Sequence, residues 1–405
     1  MRESLFLTIS LAAVAISAPA MAQTATPDEA IAAADSATEA SAVYQDADSR
    51  AYASRLQIME LVQQGRIDEA RAAFDRDWAA GILPGPAPLD AANIAVSVGR
   101  DAEAQVAFRQ ADAQSPLSGT NALNAGYSAQ RIGDDATAIF WFQRGLDTWP
   151  TDPTFDDQRR FEIRRQVEVL QRTWGASASV SYGSASTVSS GIVGADTVVQ
   201  AGGEIYRRIG GYNNGRTLEA FARVFSTLDS DVGGPTGADT TQGWVGLRYR
   251  PLSQANLILE ASRMIALGDL ARDDWMLRAA WSAERGSDLR FDRTSWPAWR
   301  LYGDVAHLVD ADQTLAVAEA RAGRAFRTSD RDIVTPFVTV RGYYDNTLPD
   351  EVAVGAGPGL SWRHWFREGT YSAPASWIDF VLGYQFSVDG DARGEGLFVS
   401  VNLNY

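Results

Sequence analysis

Charged residues stand in the middle of apolar segments in the C-terminal half of the chain. In each segment apolar and polar residues alternate, so one face of an extended strand would carry the charges. In a dry core such charges are costly unless they are paired, whereas a wet interior accepts them. By this alternation, the residues expected to face a polar interior are Glu260, Arg278, Glu319, Arg321, Arg341 and Asp379.

Residue sets suited to catalysis or metal binding are scarce. The chain has no cysteine and two histidines, His307 and His364, which are far apart in the sequence. Thiolate sites are therefore excluded, and serine–histidine chemistry has little to use. The Asp-Ser-Asp run at 229–231 and the Asp-Gly-Asp run at 389–391 lack the spacing of a calcium loop and are typical of turns. We expect no enzyme, no metal and no cofactor.

The composition is that of a chain able to fold around a core. Hydrophobic residues make up 45% and charged residues 21% of its 405 residues, and the net charge is -15. A surface this acidic argues against nucleic acid as a partner, because phosphate contacts need basic side chains.

The first 22 residues have the pattern of a secretory signal peptide. A mostly apolar run from Leu5 to Ala18 is followed by Ala20-Met21-Ala22, a small-x-small cleavage pattern. No later segment offers about 20 consecutive apolar residues, so no spanning helix is expected. Residues 23–49 are rich in Ala, Thr, Asp and Ser and are predicted to be a flexible segment.

A repeat of 34 residues occupies the segment that follows. Gly65, Gly99 and Gly133 share this spacing, each followed by an alanine at +5 and a phenylalanine at +9, and Pro116 and Pro150 repeat it too. Glycine would open the turn of a helix pair, alanine would allow close packing, and phenylalanine would fill the gap between pairs. The pattern resembles the tetratricopeptide repeat. Residues 50–172 are thus predicted to form a helical solenoid, with a capping helix at 155–172.

From residue 174 onward the period changes to that of strands. Segments of about ten residues with alternating polarity, separated by Gly, Asp, Asn and Pro, are the signature of a transmembrane barrel. We expect an antiparallel barrel of about 12 strands over 174–405, with ten to sixteen strands allowed. The predicted strands are 174–184, 196–209, 216–228, 240–250, 254–267, 272–285, 298–309, 313–327, 331–344, 351–366, 375–389 and 394–405.

The C-terminal segment resembles the closing strand of an outer-membrane barrel, which the assembly machinery recognises. Its apolar stripe, the expected assembly signal, consists of Leu397, Val399, Val401, Leu403 and Tyr405. Aromatic residues near other strand ends suit belts at the membrane interfaces. These residues are Trp244, Tyr249, Trp296, Trp299, Tyr343, Tyr344, Trp362, Trp365, Trp377 and Tyr405.

Several segments resemble the C-terminal domain of the bacteriophage adsorption protein A family. They are Tyr249-Arg250-Pro251-Leu252, Asp274-Trp275-Met276-Leu277-Arg278-Ala279, Gly355-Ala356-Gly357-Pro358-Gly359-Leu360, Trp365-Phe366-Arg367-Glu368 and Tyr371-Ser372-Ala373-Pro374. The resemblance covers roughly 240–405. It implies an outer-membrane protein, a phage receptor in some hosts, and a role in polysaccharide secretion beside an inner-membrane glycosyltransferase. About three repeats are fewer than typical members have, which puts direct contact with that enzyme in doubt.

The sequence and the resemblance favour secretion of an exopolysaccharide across the outer membrane as the function. The repeats, placed in the periplasm, would bind an inner-membrane glycosyltransferase or a periplasmic protein, and a phage tail protein is a further expected partner. The alternative is a structural or receptor barrel with no transport role. The two hypotheses differ in whether the interior of the barrel is open.

Overall fold

A computed structural model describes residues 46–149, 151, 156–183, 198–231 and 233–405. The predicted signal peptide, most of the predicted flexible segment and Pro150 lie outside these residues. Residues 46–49, which the sequence placed in the flexible segment, are already helical, with Asp46 pairing with Arg50 at 3.3 Å. None of the described helices is long and apolar enough to cross a membrane.

The N-terminal part consists of helices, of which the structure describes seven. Their order and bounds are α1 (46–63), α2 (Ile67–Ala79), α3 (Pro88–Ser97), α4 (Asp101–Gln114), α5 (Gly119–Arg131), α6 (Asp135–Asp147) and α7 (Asp157–Gln171).

The helices pair through turns that contain the repeated glycines. Gly65, Gly99 and Gly133 all have a positive φ, between 74° and 81°, a conformation that glycine adopts without strain. The alanines and phenylalanines of the repeat are fully buried, at positions 70, 104, 138, 74, 108 and 142. These positions therefore do what the repeat predicts of them, while the assignment to the tetratricopeptide family remains a prediction.

The C-terminal part is a closed barrel of twelve strands, each antiparallel to its neighbours. The predicted fold class is therefore confirmed. The strands are β1 (Trp174–Tyr182), β2 (Val198–Ile209), β3 (Leu218–Ser230), β4 (Gln242–Tyr249), β5 (Asn256–Ala266), β6 (Asp274–Arg285), β7 (Ser295–Leu308), β8 (Gln313–Arg327), β9 (Asp332–Asp345), β10 (Val352–Phe366), β11 (Ser376–Gly390) and β12 (Gly396–Asn404).

The barrel closes between its first and last strands. Val180 of β1 stands opposite Val401 of β12, and the ladder runs from Ser177 paired with Asn404 to Tyr182 paired with Val399. β12 also pairs with β11 along most of its length. All edges of the sheet are therefore hydrogen-bonded, as a sheet that spans a membrane requires.

The outer face of the barrel is apolar. Large side chains here are 37–64% exposed, which in water would be an unusually extensive hydrophobic surface. Such a surface suits contact with lipid. Members of this face on seven strands are Ile205, Leu247, Leu259, Leu277, Val340, Leu382 and Leu403.

The predicted interfacial aromatic belts are only partly correct. Tyr249, Trp299, Trp362 and Tyr405 are exposed on the outside, and Tyr344 also alternates outward. The prediction is wrong for Trp244, Trp296, Tyr343 and Trp365, which are at least 97% buried, and for Trp377, which lines the interior. Position near a strand end does not reveal the face; the parity of each residue within its strand decides it.

Two apolar layers fill the barrel on either side of a charged zone. The mouth layer lies at the end nearer the helices and consists of Phe161, Leu289, Trp296, Ile333 and Trp365. The far layer lies towards the opposite end and includes Trp244, Met264, Met276, Leu308 and Tyr343. Over the described residues, buried apolar side chains thus lie at both ends of the interior.

Helix α7 lies across the mouth of the barrel. Arg165 donates to Asp288 in the β6–β7 turn, and Arg164 donates to Glu368 in the β10–β11 turn, at 2.9 and 3.0 Å. Near the β2–β3 turn, Arg208 donates to the Val169 carbonyl at 2.9 Å. These three turns are four strands apart in a ring of twelve, so the helix spans the opening rather than one side of it.

Candidate binding site inside the barrel

A cavity of about 450 Å³ lies in the charged zone. Residues from all twelve strands line it, so it is the interior of the barrel and not a surface groove. Its wall combines arginine side chains with aromatic rings and a few carboxylates, among them Arg248, Arg300, Phe225, Trp377 and Glu204. Guanidinium groups and ring faces are both suited to binding sugars, through hydroxyl groups and apolar ring faces respectively.

The structure brings the six residues singled out by alternation into this zone. Arg278, Glu319, Arg321, Arg341 and Asp379 line the cavity. Glu260 lies behind the lining, with a side chain that is fully buried between two arginines. Their part in transport or binding remains a prediction.

One half of the charged zone is a balanced network. Glu260 bridges Arg223 and Arg278 at 3.1 and 2.9 Å, and Arg278 also binds Asp304 at 2.7 Å. Tyr302 donates a hydrogen bond to Asp304 at 2.5 Å.

The same network continues along β2, β3 and β4. Glu204 joins Arg223 to Arg248, and Glu219 joins Arg248 to Arg208. Over this half four arginines meet four carboxylates, so the charges cancel. Pairing of this kind lets charged groups be buried, although it adds little net stability compared with apolar packing.

The other half carries more positive than negative charge. Four arginines on the consecutive strands β7 to β10, here called the arginine arc, face the cavity: Arg300, Arg321, Arg341 and Arg363. Two carboxylates form ion pairs with these arginines. Glu319 pairs with Arg341, whose Nε lies 3.0 Å from Oε2, and with Arg321 at 3.3 Å. Asp379 pairs with Arg363 at 3.1 Å.

Aromatic rings support each guanidinium of the arginine arc. Arg321 lies 4.1 Å from the centre of the Phe337 ring, and Arg363 lies 4.4 Å from that of Trp377. Arg300 stacks over Tyr302 at 5.0 Å. Such cation–π contacts hold the planar group flat and leave its N–H edge for other partners.

Glycines in the wall make room for two of the supporting rings. A Cβ at Gly359 would lie 2.4 Å from the Phe337 ring, and one at Gly383 would lie 2.2 Å from the ring of Phe398, over which Arg341 stacks at 5.7 Å. Both distances are shorter than carbon atoms tolerate, so any larger residue would displace the ring. Gly359 belongs to the Gly-rich segment of β10 that carried the family resemblance.

Sequence reasoning missed several residues of this zone. Arg223, Arg248, Arg300 and Arg363 are inward-facing arginines that were not singled out, together with the carboxylates Glu204, Glu219 and Asp304. Each lies on a strand that was predicted and alternates inward with its neighbours. The alternation that identifies these residues was therefore present in the sequence. Applying parity to every predicted strand would have found them.

Outside this zone the predicted features are simpler. The apolar stripe of β12 faces outward, with Leu397, Leu403 and Tyr405 between 38% and 45% exposed. Its role in assembly stays a prediction. His307 binds Thr314 at 3.1 Å and His364 binds Asp332 at 2.9 Å. The described residues hold no cluster of His, Cys, Asp and Glu that could bind a metal ion.

A closed antiparallel barrel with an apolar outer band and a polar interior defines an outer-membrane β-barrel protein. Residues 233–401 match the family described as bacteriophage N adsorption protein A C-term. The predicted resemblance of the barrel is therefore confirmed. No curated protein matches the chain.

Solved outer-membrane proteins share the general fold at low similarity. An outer membrane channel from Pseudomonas putida F1 has 12% identity and a TM-score of 0.32, over 57% of this chain and 94% of its own. LpxR from Salmonella typhimurium has 9% identity and a TM-score of 0.33, over 57% and 99%. A bacterial polysaccharide outer membrane secretin has 8% identity and a TM-score of 0.30, over 57% and 98%.

Proposed function

We propose that this protein handles an exopolysaccharide at the outer membrane and takes part in its secretion. The observation that carries the proposal is the ring of arginines and aromatic side chains around the 450 Å³ cavity. Aromatic faces suit the apolar sides of sugar rings, and guanidinium groups suit their hydroxyl and acid groups.

In this proposal the structure is the resting state of the barrel. Polymer passage needs the mouth layer and the far layer to move, because both are packed with large side chains such as Trp296 and Trp244. The mouth layer includes Phe161 of α7, so displacement of this one helix would open that end. The helical part would lie in the periplasm, where a glycosyltransferase or a periplasmic protein could bind it and pull α7 away.

A second candidate function rests on the packed interior itself. A barrel filled at both ends suits a receptor or anchor without transport, to which a phage could adsorb through the loops opposite the helices. In that case the charged zone would serve only to fill the barrel, and α7 would not need to leave the mouth.

Polysaccharide measurements in a deletion strain test the proposal. In a strain that makes the polymer, we expect deletion of the gene to lower the extracellular polymer and to raise the periplasmic polymer. Reintroducing the wild-type gene should restore secretion. Unchanged amounts in both fractions would contradict a role in secretion and favour the receptor, whose own test is loss of phage adsorption by the same strain.

A further inference from the structure

We propose that the arginine arc is a binding site for the acid groups of an anionic saccharide. The inference deepens the proposed function, on which its biological role rests, by naming the charge of the polymer. It concerns Arg300, Arg321, Arg341 and Arg363 and the part of the cavity that they face.

The two halves of the charged zone differ in their local charge. The balanced half of the zone shows that this barrel can match its buried charges one for one, with Glu260 between Arg223 and Arg278. The arginine arc has four guanidinium groups but only Glu319 and Asp379 as paired carboxylates. Glu284 stands opposite Arg300 on β6, yet its side chain is exposed and forms no ion pair with a described residue.

Two like charges of the arginine arc lie side by side. Arg300 and Arg321 face each other directly across β7 and β8. Like charges in this position destabilise a sheet, and the cost grows where water is scarce. Arg300 forms no ion pair among the described residues, so a bound anion is the simplest group that would relieve the repulsion.

Three guanidinium groups of the arginine arc have an unused hydrogen-bond donor. The Nε atoms of Arg300, Arg321 and Arg363 are buried and have no hydrogen-bond partner among the described residues. Arg321 forms an ion pair with Glu319, to which its Nη2 donates at 3.4 Å, whereas its Nε, 3.3 Å from Oε1, makes no hydrogen bond. A carboxylate can accept two parallel N–H groups from one guanidinium, which a sugar hydroxyl cannot.

The whole-molecule charge strengthens the inference. The chain carries a net charge of -15, so the local excess of arginine in the arc is opposite in sign to the charge of the protein as a whole. A positive interior attracts anionic polymers and excludes cationic ones. We therefore expect a saccharide with carboxylate or phosphate groups rather than a neutral or amino-bearing chain.

Calorimetry with the purified full-length protein in detergent tests the inference. The probes are hexagalacturonate, a neutral galactose hexamer and a chitosan hexamer. Hexagalacturonate should bind more tightly than the other two, and added salt should weaken its binding. Inorganic phosphate, as a fourth probe, shows whether an acid group suffices without the sugar; binding as tight as that of hexagalacturonate would overturn a saccharide site.

Substitution of the facing pair identifies the site. Arg300→Gln/Arg321→Gln should weaken hexagalacturonate binding at least about tenfold, because a hydrogen bond to a charged group contributes about 1.5–3 kcal/mol. The matched control is Arg207→Gln/Arg324→Gln, which removes two arginines that alternate to the outer face of β2 and β8. Equal affinities for the three oligosaccharides, or unchanged binding in the facing-pair variant, would overturn the inference.

A further variant distinguishes a cavity that the probes cannot enter from a cavity that does not bind them. If no probe binds the wild type, Phe161→Ala, which trims the mouth layer, should allow binding, and continued absence of binding overturns the inference. The outcome is independent of the secretion test. Tight hexagalacturonate binding with unchanged secretion would support the anion site and refute the proposed function. Lost secretion without binding would refute the anion site and support the proposed function.

Discussion

Glu260 shows how much one buried carboxylate does in this barrel. Its side chain is fully buried and meets guanidinium groups from two strands, Arg223 on β3 and Arg278 on β6. Removing one partner from such a network leaves the others buried and uncompensated, which costs more than the pair contributes.

We predict that Glu260→Gln destabilises the folded barrel by about 3–5 kcal/mol. The free energy of unfolding by guanidinium chloride in detergent micelles or liposomes measures the effect. Glu395→Gln is the control, because Glu395 is exposed and makes no ion pair with a described residue. Equal stability of the two variants would show that Glu260 is not needed to hold the network together.

At the level of single residues, alternation was a reliable guide to the interior. The six residues chosen by parity all lie in the charged zone, because the period of a strand is two and one buried face fixes the register. Parity cannot say which charges are paired. The contrast between the balanced half and the arginine arc depends on which strands are neighbours and on side-chain rotamers, neither of which the sequence displays.

Among the elements, α7 couples the two parts of the molecule across the mouth of the barrel, and α6 adds contacts through Asp135 and Asp147. Its docking depends on side chains in turns that are far away in the sequence, such as Glu368 and Asp288. Burial works against ionisation of the Glu368 carboxylate, but hydrogen bonds from Arg164 and Arg331 outweigh it and hold its pKa below the ordinary value. The contribution of Glu368 to docking is therefore complete above the ordinary carboxyl pKa and is lost as the pH falls through the lowered one.

We predict that α7 detaches in acid, below about pH 4, where carboxylates become protonated. The chain has no cysteine, so Gln64→Cys and Ser253→Cys allow a specific dye pair to report the distance between the helices and the barrel. Energy transfer should be constant from pH 7 to pH 5 and fall below about pH 4.

Two single substitutions test whether the Glu368 carboxylate contributes to this acid transition. In Glu368→Gln the transition should be smaller, because this variant lacks the carboxylate whose pKa is lowered. Glu162→Gln, on an exposed position of the same helix, should leave it unchanged. A transition of full size in Glu368→Gln would refute the role of this carboxylate.

The sequence predicted the elements better than their contacts. Repeat spacing and strand alternation indicated helices up to about residue 172 and about twelve strands after it, and the structure has strands from Trp174 to Asn404. The position of α7 was described only as a cap on the solenoid. Two of its contacts with the turns of the barrel depend on single arginines whose partners lie more than a hundred residues away, and local patterns carry no such information.

In the whole molecule, the mouth layer and the far layer lie on opposite sides of the charged zone, and we expect them to act as two barriers in series. An ion that crosses the barrel must pass both, so opening either one alone leaves the other in place. Phe161 belongs to the first barrier, and Trp244 belongs to the second.

We predict a non-additive effect of truncating both barriers. In planar bilayers the wild type, Phe161→Ala and Trp244→Ala should all show low conductance, whereas the double variant should conduct several times more than the two single variants together. Heat-modifiable migration on gels verifies that each variant is folded. A large steady conductance in the wild type would show that the interior is open, and additive effects would show that the barriers are not in series.

The pairing of β1 with β12 completes the contacts that hold α7 at the mouth of the barrel. Arg172, directly after α7, donates to Asn404 of β12 and to the Ala375 carbonyl beside β11. The contacts that hold α7 at the mouth are therefore incomplete until β12 has paired with β1. All the contacts of Arg172 that hold α7 at the mouth can thus form only when the barrel is closed.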